Sequence, residues 1–337
     1  MLTIRDIARE SGYSVSTVSR VLNKRRDVSP EAQAKIEAIV EAHRFVPNNN
    51  AKHLKQTASK NIAVLVKGTS NMLFASIVEE IQTMMESTRY SLYVSYIDED
   101  ANEVEQARII CRERNPLGIL FLGGNMEYFK EQFEAIDVPS VLVTNHGEGL
   151  PYPNLSSVTT DNKEAARCAV DYLISQGHER IGIIGGDRKL SYTSAQRYRG
   201  CMESFQEHDI VFDENYYSKA RFSYDSAYRA MKRLLKSAKD ITAVFAMSDV
   251  MAIGAIRALR DEGLLVPEDI SVMGFDGITL AEYYNPKLTT IQQQYRTLAQ
   301  RSVRILLGYI ELNTSAVYEI VPFKLVEGES VRNIAKE

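Results

Sequence analysis

The stretch 3-TIRDIARESGYSVSTVSRVLN-23 carries two short helical patterns separated by Gly12 and Tyr13. Within each pattern the apolar residues share one helical face: Ile4, Ile7 and Ala8 in the first, and Val15, Val18, Val21 and Leu22 in the second. Thr3 and Ser14 are suited to cap the two helices, and Gly12 tolerates the left-handed backbone that ends a helix. The spacing is that of a helix-turn-helix motif, whose second helix enters the major groove of DNA.

The second helix offers side chains suited to both the bases and the backbone of DNA. Val15 can pack on a thymine methyl group, and Arg20 can form a paired hydrogen bond with guanine O6 and N7. Ser16 lies four residues before Arg20 and shares its face. Short donors that suit phosphate oxygens are Ser14, Thr17, Ser19 and Asn23. On the pattern alone, a capped surface helix with its hydroxyls in water explains the stretch equally well.

Residues 1–60 carry an excess of positive charge. They hold 11 Lys and Arg against 6 Asp and Glu, whereas residues 61–337 hold 29 against 38, within a net charge of −4. A basic head on an acidic body suggests a polyanionic partner for the head alone.

Ser29 and Pro30 predict the start of a third helix, and Pro47 closes the head region.

From residue 61 the sequence alternates between strand and helix patterns. Short apolar runs predict strands at 62–66, 91–96, 118–123, 138–144, 181–186, 241–248, 270–276 and 319–326. Amphipathic periodicity predicts helices at 75–88, 103–114, 163–176, 193–208, 224–237 and 250–262. This alternation is typical of parallel sheets with helices on both faces, and about ten strands favour two doubly wound lobes. Ligands bind such lobes at the carboxyl ends of the strands, where this chain has Asn125, Thr144, Asn145, Asp187, Ser248, Asp249 and Asp276.

The composition excludes several classes of protein. No apolar run is long enough for a membrane helix, no signal-peptide pattern is present, and the three cysteines form no CxxC pair. The five histidines follow no catalytic motif. We therefore expect a cytoplasmic protein with no membrane contact, no cofactor, no metal and no enzymatic activity.

The head and the body both resemble the lac repressor and gal repressor family of bacterial transcription regulators. The head resembles it in the opening stretch and in 28-VSPEAQAKIEAIVEAHRFVPNNNAKHL-54. The body resembles it in 194-SAQRYRG-200, 245-FAMSDVMAIGAIRALRDEGLLVPEDISVMGFD-276 and 286-PKLTTIQQQ-294. The resemblance implies a small all-α helix-turn-helix head over 1–47, a hinge helix over 48–60, and an α/β core over 61–337 like that of type I periplasmic binding proteins.

The resemblance also implies lobe boundaries and further DNA contacts. The N-lobe is expected at about 61–159 plus 293–318, and the C-lobe at about 160–292 plus 319–337. Leu54 matches a leucine that wedges between base pairs in the minor groove, a known way of bending DNA. The remaining predicted DNA-binding residues are Thr3, Ser29, Asn48 and Ala51. Lys55, after the wedge, departs from the family pattern.

An effector site between the lobes follows from the same resemblance. Arg197 and Asp276 match the family's anchoring positions, where both can form charge-assisted hydrogen bonds with sugar hydroxyls. The other residues predicted there are Phe74, Asn125, Phe222, Ser248, Asp249 and Gln293. Asp249 as a helix cap and the two phenylalanines as core residues are the structural alternatives. Thr144 and Asn145 stand where many family members have Asp, which leaves the preferred sugar open.

The implied function is that of a ligand-responsive regulator that binds palindromic operator DNA as a homodimer. The favoured interpretation is a nucleoid-associated repressor of carbohydrate-utilisation genes, which a sugar inducer releases from its operator. The alternative is a regulator that responds to a nucleoside or purine as corepressor. A sugar-processing enzyme is the least favoured alternative. The sequence determines neither the effector nor the operator.

Overall fold

The computed structural model of the chain describes residues 4–22, 28–43, 60–147 and 149–335. The chain forms two compact units, Met1–Ala58 and Ser59–Glu337. In the described part of the chain, no helix is long and apolar enough to span a membrane.

The first unit is a three-helix head. Its helices are α1 (Ile4–Ser11), α2 (Val15–Leu22) and α3 (Pro30–Ala42). The turn between α1 and α2 contains Gly12 at φ +77°, a conformation that costs glycine no steric clash. Residues from all three helices form its core: Ile7, Ala8, Val18, Val21 and Ile36. The predicted helix-turn-helix is confirmed.

The second unit alternates strands and helices from its first residue onward. Its first half comprises β1 (Asn61–Lys67), α4 (Met72–Glu86), β2 (Ser91–Ile97), α5 (Glu103–Arg114), β3 (Gly118–Leu122), α6 (Met126–Gln132), β4 (Ser140–Val143) and β5 (Leu155–Thr160). There follow α7 (Asn162–Ser175), β6 (Ile181–Gly185), α8 (Tyr192–Glu207), β7 (Tyr217–Lys219), α9 (Tyr224–Ser237), β8 (Ala243–Ala246), α10 (Asp249–Asp261), β9 (Ser271–Asp276) and α11 (Thr279–Tyr283). The last elements are β10 (Thr289–Gln293), α12 (Tyr295–Leu312), β11 (Tyr318–Val321) and β12 (Phe323–Val326).

These strands form two six-stranded sheets, one in each lobe. The N-lobe sheet has the order β11-β5-β4-β3-β1-β2 and is parallel throughout. The C-lobe sheet has the order β12-β10-β9-β8-β6-β7, and only its β10–β12 pair is antiparallel. Every residue of β3, β4, β5 and β9 is buried. Burial of both faces is expected of parallel strands that helices cover on either side, so the two doubly wound lobes are confirmed.

The prediction of a single strand over 319–326 is wrong. The segment divides at Pro322 into β11, which joins the N-lobe sheet, and β12, which joins the C-lobe sheet. Proline has no N–H to donate to a strand ladder and a fixed φ, so it interrupts pairing at this point. The expected lobe boundary between 318 and 319 therefore falls inside β11. The expected boundary between 292 and 293 falls inside β10, so Gln293 belongs to the C-lobe and not to the N-lobe.

Within residues 149–335 the chain passes between the lobes at three places. The crossings follow β5, β10 and β11. The three crossings link the lobes, and the carboxyl ends of strands from both lobes, among them those of β1 and β9, meet at one cleft.

Candidate functional site

The exposed face of α2 carries the residues predicted to contact DNA bases. Val18 and Val21 are buried in the head, so the opposite side of the helix faces outward. Ser16 and Arg20 are exposed there, and Val15 is 46% exposed, a large fraction for an aliphatic side chain. The fold thus presents a polar and apolar surface at the start of the second helix of the motif, where such motifs contact base edges.

Hydroxyl groups line the first turn of α2. The Ser14 hydroxyl accepts a hydrogen bond from the backbone N–H of Thr17 at 3.2 Å, and its oxygen lies 2.7 Å from the Ser16 hydroxyl oxygen. Ser29 caps α3 in the same way, because its hydroxyl accepts from the N–H of Ala32 at 3.3 Å. Five further residues predicted to contact DNA lie outside the described ranges: Thr3, Asn23, Asn48, Ala51 and Leu54.

A cavity lies between the two lobes of the core. The residues that line it from the N-lobe are Lys67, Gly68, Asn71, Leu73, Phe74, Glu99, Gly123, Gly124, Thr144 and Asn145. The residues that line it from the C-lobe are Leu190, Ser191, Thr193, Arg197, Phe222, Asp276 and Gln293. Five of the predicted effector residues are among them: Phe74, Arg197, Phe222, Asp276 and Gln293.

Arg197 and Asp276 form the polar centre of the C-lobe wall. A guanidinium nitrogen of Arg197 lies 3.7 Å from the Asp276 Oδ1, and both side chains are about 5% exposed or less. The Arg197 Nε donates to Asn162 Oδ1 at 2.9 Å, Nη1 donates to the Met247 carbonyl, and the guanidinium stacks 3.7 Å from the centre of the Phe275 ring. These contacts hold the guanidinium in one orientation.

Burial changes the acidity of both members of the pair. It raises the pKa of the Asp276 carboxyl to about 6, although the neighbouring Arg197 and a hydrogen bond from Gln293 oppose the shift. It also lowers the pKa of Arg197 to about 10. Because the charged pair is almost completely buried, a ligand that completes its hydrogen bonds stabilises it.

Three of the predicted effector residues do not line the cavity. Asn125 caps α6, since its Oδ1 accepts from the N–H of Glu127 at 3.1 Å, and Ser248 caps α10 by accepting from the N–H of Met251 at 3.2 Å. Asp249 is fully buried and accepts hydrogen bonds from the N–H of Ile278 and the hydroxyl of Thr290. Ser248, and not Asp249, is therefore the cap, and burial raises the pKa of Asp249 well above its ordinary value.

Two aromatic rings border the cavity from opposite lobes. Phe74 extends from α4 in the N-lobe, and Phe222 precedes α9 in the C-lobe. Gly123, at φ +77°, lies under Phe74, where a Cβ atom would come within 3.1 Å of the ring. The rings supply flat apolar surface beside the polar centre, which suits the C–H faces of a sugar or a heterocycle.

The Lys67–Glu103 pair at the N-lobe end of the cavity was not predicted from the sequence. The Lys67 Nζ lies 2.5 Å from a Glu103 carboxylate oxygen, and the other oxygen accepts from the N–H of Asn125. Glu103 is 1% exposed and begins α5. The position of Lys67 at the end of β1 was the signal available, because carboxyl ends of parallel strands meet at the cleft.

Charged residues from both lobes meet at the mouth of the cavity. We name this cluster the clasp: Asp98, Glu99 and Asp100 after β2, with Arg221 and Phe222 before α9. Arg221 donates to Asp98 at 2.6 Å and lies 3.6 Å from both Glu99 and Asp100, and the Phe222 N–H donates to Glu99 at 3.2 Å. Desolvation raises the pKa of Glu99. The clasp joins the two lobes by side chains of opposite charge.

We expect Arg221→Glu to open the clasp, because a carboxylate would then face three others across the cleft. The Phe222 N–H would lose its partner, and its hydrogen–deuterium exchange should speed up about tenfold or more, which corresponds to about 1.4 kcal/mol. Arg188→Glu is the matched control, since Arg188 pairs with Glu214 within the C-lobe. Equal protection of Phe222 in both variants would contradict a role for Arg221 in holding the lobes together.

Comparisons with known proteins agree with this architecture. Residues 3–48 match the family model described as bacterial regulatory proteins of the lacI family, and residues 170–331 match a periplasmic binding protein-like domain. The HTH-type transcriptional regulator MalR of Clostridium butyricum is 38% identical over 99% of this chain and 100% of its own. The HTH-type transcriptional repressor PurR of Vibrio atlanticus is 29% identical over 99% of this chain and 100% of its own.

Two solved structures resemble the whole chain. The transcriptional regulator CelR in complex with cellobiose is 27% identical, with a TM-score of 0.71, over 98% of this chain and 100% of that one. The lac repressor dimer bound to operator and the anti-inducer ONPF is 26% identical, with a TM-score of 0.72, over 98% of this chain and 99% of that one. A helix-turn-helix head and a two-lobed binding core together define a DNA-binding transcription regulator. The chain belongs to the LacI family of these regulators, a family of DNA-binding proteins and not of enzymes.

Proposed function

We propose that the chain is a homodimeric repressor of carbohydrate-utilisation genes and that a neutral sugar releases it from its operator. The observation that carries the effector part is the buried Arg197–Asp276 pair with Gln293 at the edge of the cavity. Such a group offers charge-assisted donors and acceptors to adjacent hydroxyls. The similar structure of a regulator in complex with cellobiose supports a sugar as the effector.

The proposed mechanism couples the cavity to the angle between the lobes. An effector that contacts Asn145 and Thr144 in one lobe and Arg197 and Asp276 in the other stabilises one lobe angle at the expense of others. The affinity for operator then shifts by the coupling free energy, typically about 1–3 kcal/mol. The similar lac repressor is a dimer bound to operator, and a dimer of this chain on a two-fold symmetric operator places one head on each half-site. We further place the protein at the bacterial nucleoid in the cytoplasm.

A purine or nucleoside effector is the second candidate. Phe74 and Phe222 face the cavity from opposite lobes, and two aromatic faces suit a flat heterocycle. The PurR relative is consistent with this alternative. In that case the effector strengthens operator binding as a corepressor.

A thermal-shift panel on the full chain separates the two candidates. A ligand at a hundred times its dissociation constant adds about 2.7 kcal/mol to stability, which raises the melting temperature of the core. We expect sugars to do so and purines and nucleosides to have no effect. Stabilisation by purines or nucleosides alone would contradict the sugar proposal and favour the corepressor.

A further inference from the structure

Thr144 has an unusual backbone conformation at the wall of the cavity. It directly follows β4 and has φ +76°, in the left-handed region that β-branched residues rarely adopt. Its side chain is 3% exposed, and its hydroxyl has no hydrogen-bond partner within the protein. A buried unpaired hydroxyl is costly, and strained residues persist chiefly at ligand-binding and active sites.

The neighbouring Asn145 has a side-chain amide with a fixed orientation. Its Nδ2 lies 2.8 Å from the carbonyl oxygen of Gly124. A carbonyl oxygen only accepts hydrogen bonds, so the NH2 group must face Gly124 and the Oδ1 must face the other way. Asn145 is 1% exposed, and this Oδ1 is buried without a partner.

Gln293 repeats the arrangement on the opposite wall. Its Nε2 donates to the Asp276 Oδ1 at 2.8 Å, and its Oε1 is buried without a partner. An ionised carboxylate also only accepts, so Asp276 fixes the amide as Gly124 does for Asn145. Each lobe therefore contributes one amide oxygen that can accept a hydrogen bond but cannot exchange places with its NH2 group.

The charges that line the cavity balance. Lys67 and Arg197 are the cationic residues of the lining, and Glu99 and Asp276 are the anionic ones. Lys67 is already paired with Glu103, and Arg197 with Asp276. A phosphate group would therefore meet fixed acceptors and carboxylates without an uncommitted cation in the described lining, a costly arrangement for an anion.

We propose that Thr144, Asn145 and Gln293 select a neutral, hydroxyl-rich effector and exclude its phosphorylated form. This rests on the proposed function and specifies the ligand of the same cavity. The ligand donates hydroxyl hydrogens to the Asn145 and Gln293 oxygens, one on each lobe, and exchanges a hydrogen bond with the Thr144 hydroxyl. An effector that binds both amides bridges the lobes, so the residues that select it also link it to lobe closure.

The first test compares neutral and phosphorylated probes by calorimetry on the full chain. The neutral probes are ribose, glucose and maltose, and the charged probes are their phosphates, ribose 5-phosphate, glucose 6-phosphate and maltose 6′-phosphate. We expect at least one neutral probe to bind and its phosphate to bind at least about 100-fold more weakly. Tighter binding of a phosphate, or no binding by any neutral probe, would overturn the proposal. DNA binding by the same sample is measured in parallel, so the regulator function is judged separately.

The second test is the substitution Thr144→Val, which keeps the branched shape and removes the hydroxyl. Thr160→Val is the matched control, because the Thr160 hydroxyl is equally buried and unpaired but Thr160 does not line the cavity. With the tightest neutral probe, Thr144→Val should raise the dissociation constant about 10-fold, the size of one lost hydrogen bond. The control should stay within about twofold. Equal affinities of the two variants would overturn the role of Thr144, and melting temperatures show whether both fold.

Discussion

Replacing Asp276 by alanine should abolish the effector response of operator binding while operator affinity without effector is retained. Asp276 ends β9, lies 3.7 Å from Arg197 and accepts from Gln293, so it organises the other two polar groups on the C-lobe side of the cavity. Its removal deletes a proposed ligand acceptor and frees the Gln293 amide. The residues proposed to contact DNA lie in the other unit and are unchanged.

The alanine variant also leaves a buried guanidinium without its carboxylate. Breaking such a pair costs about 3–5 kcal/mol of stability, so Asp276→Asn is needed beside it. Asparagine keeps an acceptor for Gln293 and removes the charge. We expect both variants to lose the effector response, measured as the ratio of operator affinities with and without the effector. A normal ratio in the asparagine variant would place the essential contact elsewhere.

The effector affinity of the wild-type protein, measured across a range of pH, should show the same requirement for Asp276. Burial raises the pKa of Asp276 to about 6, so the carboxylate becomes protonated as the pH falls below that value. If the ligand needs the ionised form, its affinity falls as the pH drops through about 6 and is constant above it.

Among single substitutions of the residues predicted to contact DNA, Arg20→Ala should produce the largest loss of operator affinity. A paired contact to guanine contributes about 1–3 kcal/mol, and a dimer makes it twice, so the loss for a whole operator is about 2–6 kcal/mol if the half-sites are additive. Arg20 lies on the exposed face of α2 opposite the buried Val18 and Val21. The specificity for one base pair in each half-site should also decrease.

Arg9→Ala is the matched control for Arg20. Its side chain is 82% exposed on α1 and lies 3.7 Å from Asp6, so the variant removes the same charge from the same head. Titration of both variants against the operator and against a scrambled duplex separates the two effects. Equal losses on both duplexes in the Arg20 variant would show a contact to the DNA backbone only.

The head was largely predictable from local pattern. Apolar positions at helical spacing, Gly12 and the capping Ser14 and Ser29 define three short helices, and the structure has all three. Such elements depend on interactions between residues three or four apart, which the sequence displays directly.

The core was predictable where strands are apolar and less so elsewhere. Strand β5 was not predicted, because its residues Leu155–Thr160 include two serines and two threonines yet are all buried. Their burial comes from neighbours on both sides of the strand, which no local pattern reveals. Helix α12 was not predicted either, and β11 was joined to β12 across Pro322, because the assignment of each half to a different sheet is a tertiary property.

The site was predictable in residue type but not in geometry. Arg197, Asp276, Phe74, Phe222 and Gln293 line the cavity as the family resemblance implied. Ser248 and Asn125 have the same polar character but serve as helix caps. The unpaired oxygens of Asn145 and Gln293 depend on where Gly124 and Asp276 lie in space, and a sequence does not supply that.

The most direct test of the central claim is operator binding by the full chain with and without its effector. The operator is first selected from random duplexes, and the neutral probe that stabilises the protein most is then added. We predict a two-fold symmetric selected sequence and at least about fivefold weaker binding in the presence of that probe, the lower end of typical coupling. Selection of no preferred sequence, or an affinity that the effector leaves unchanged, would contradict a ligand-responsive regulator.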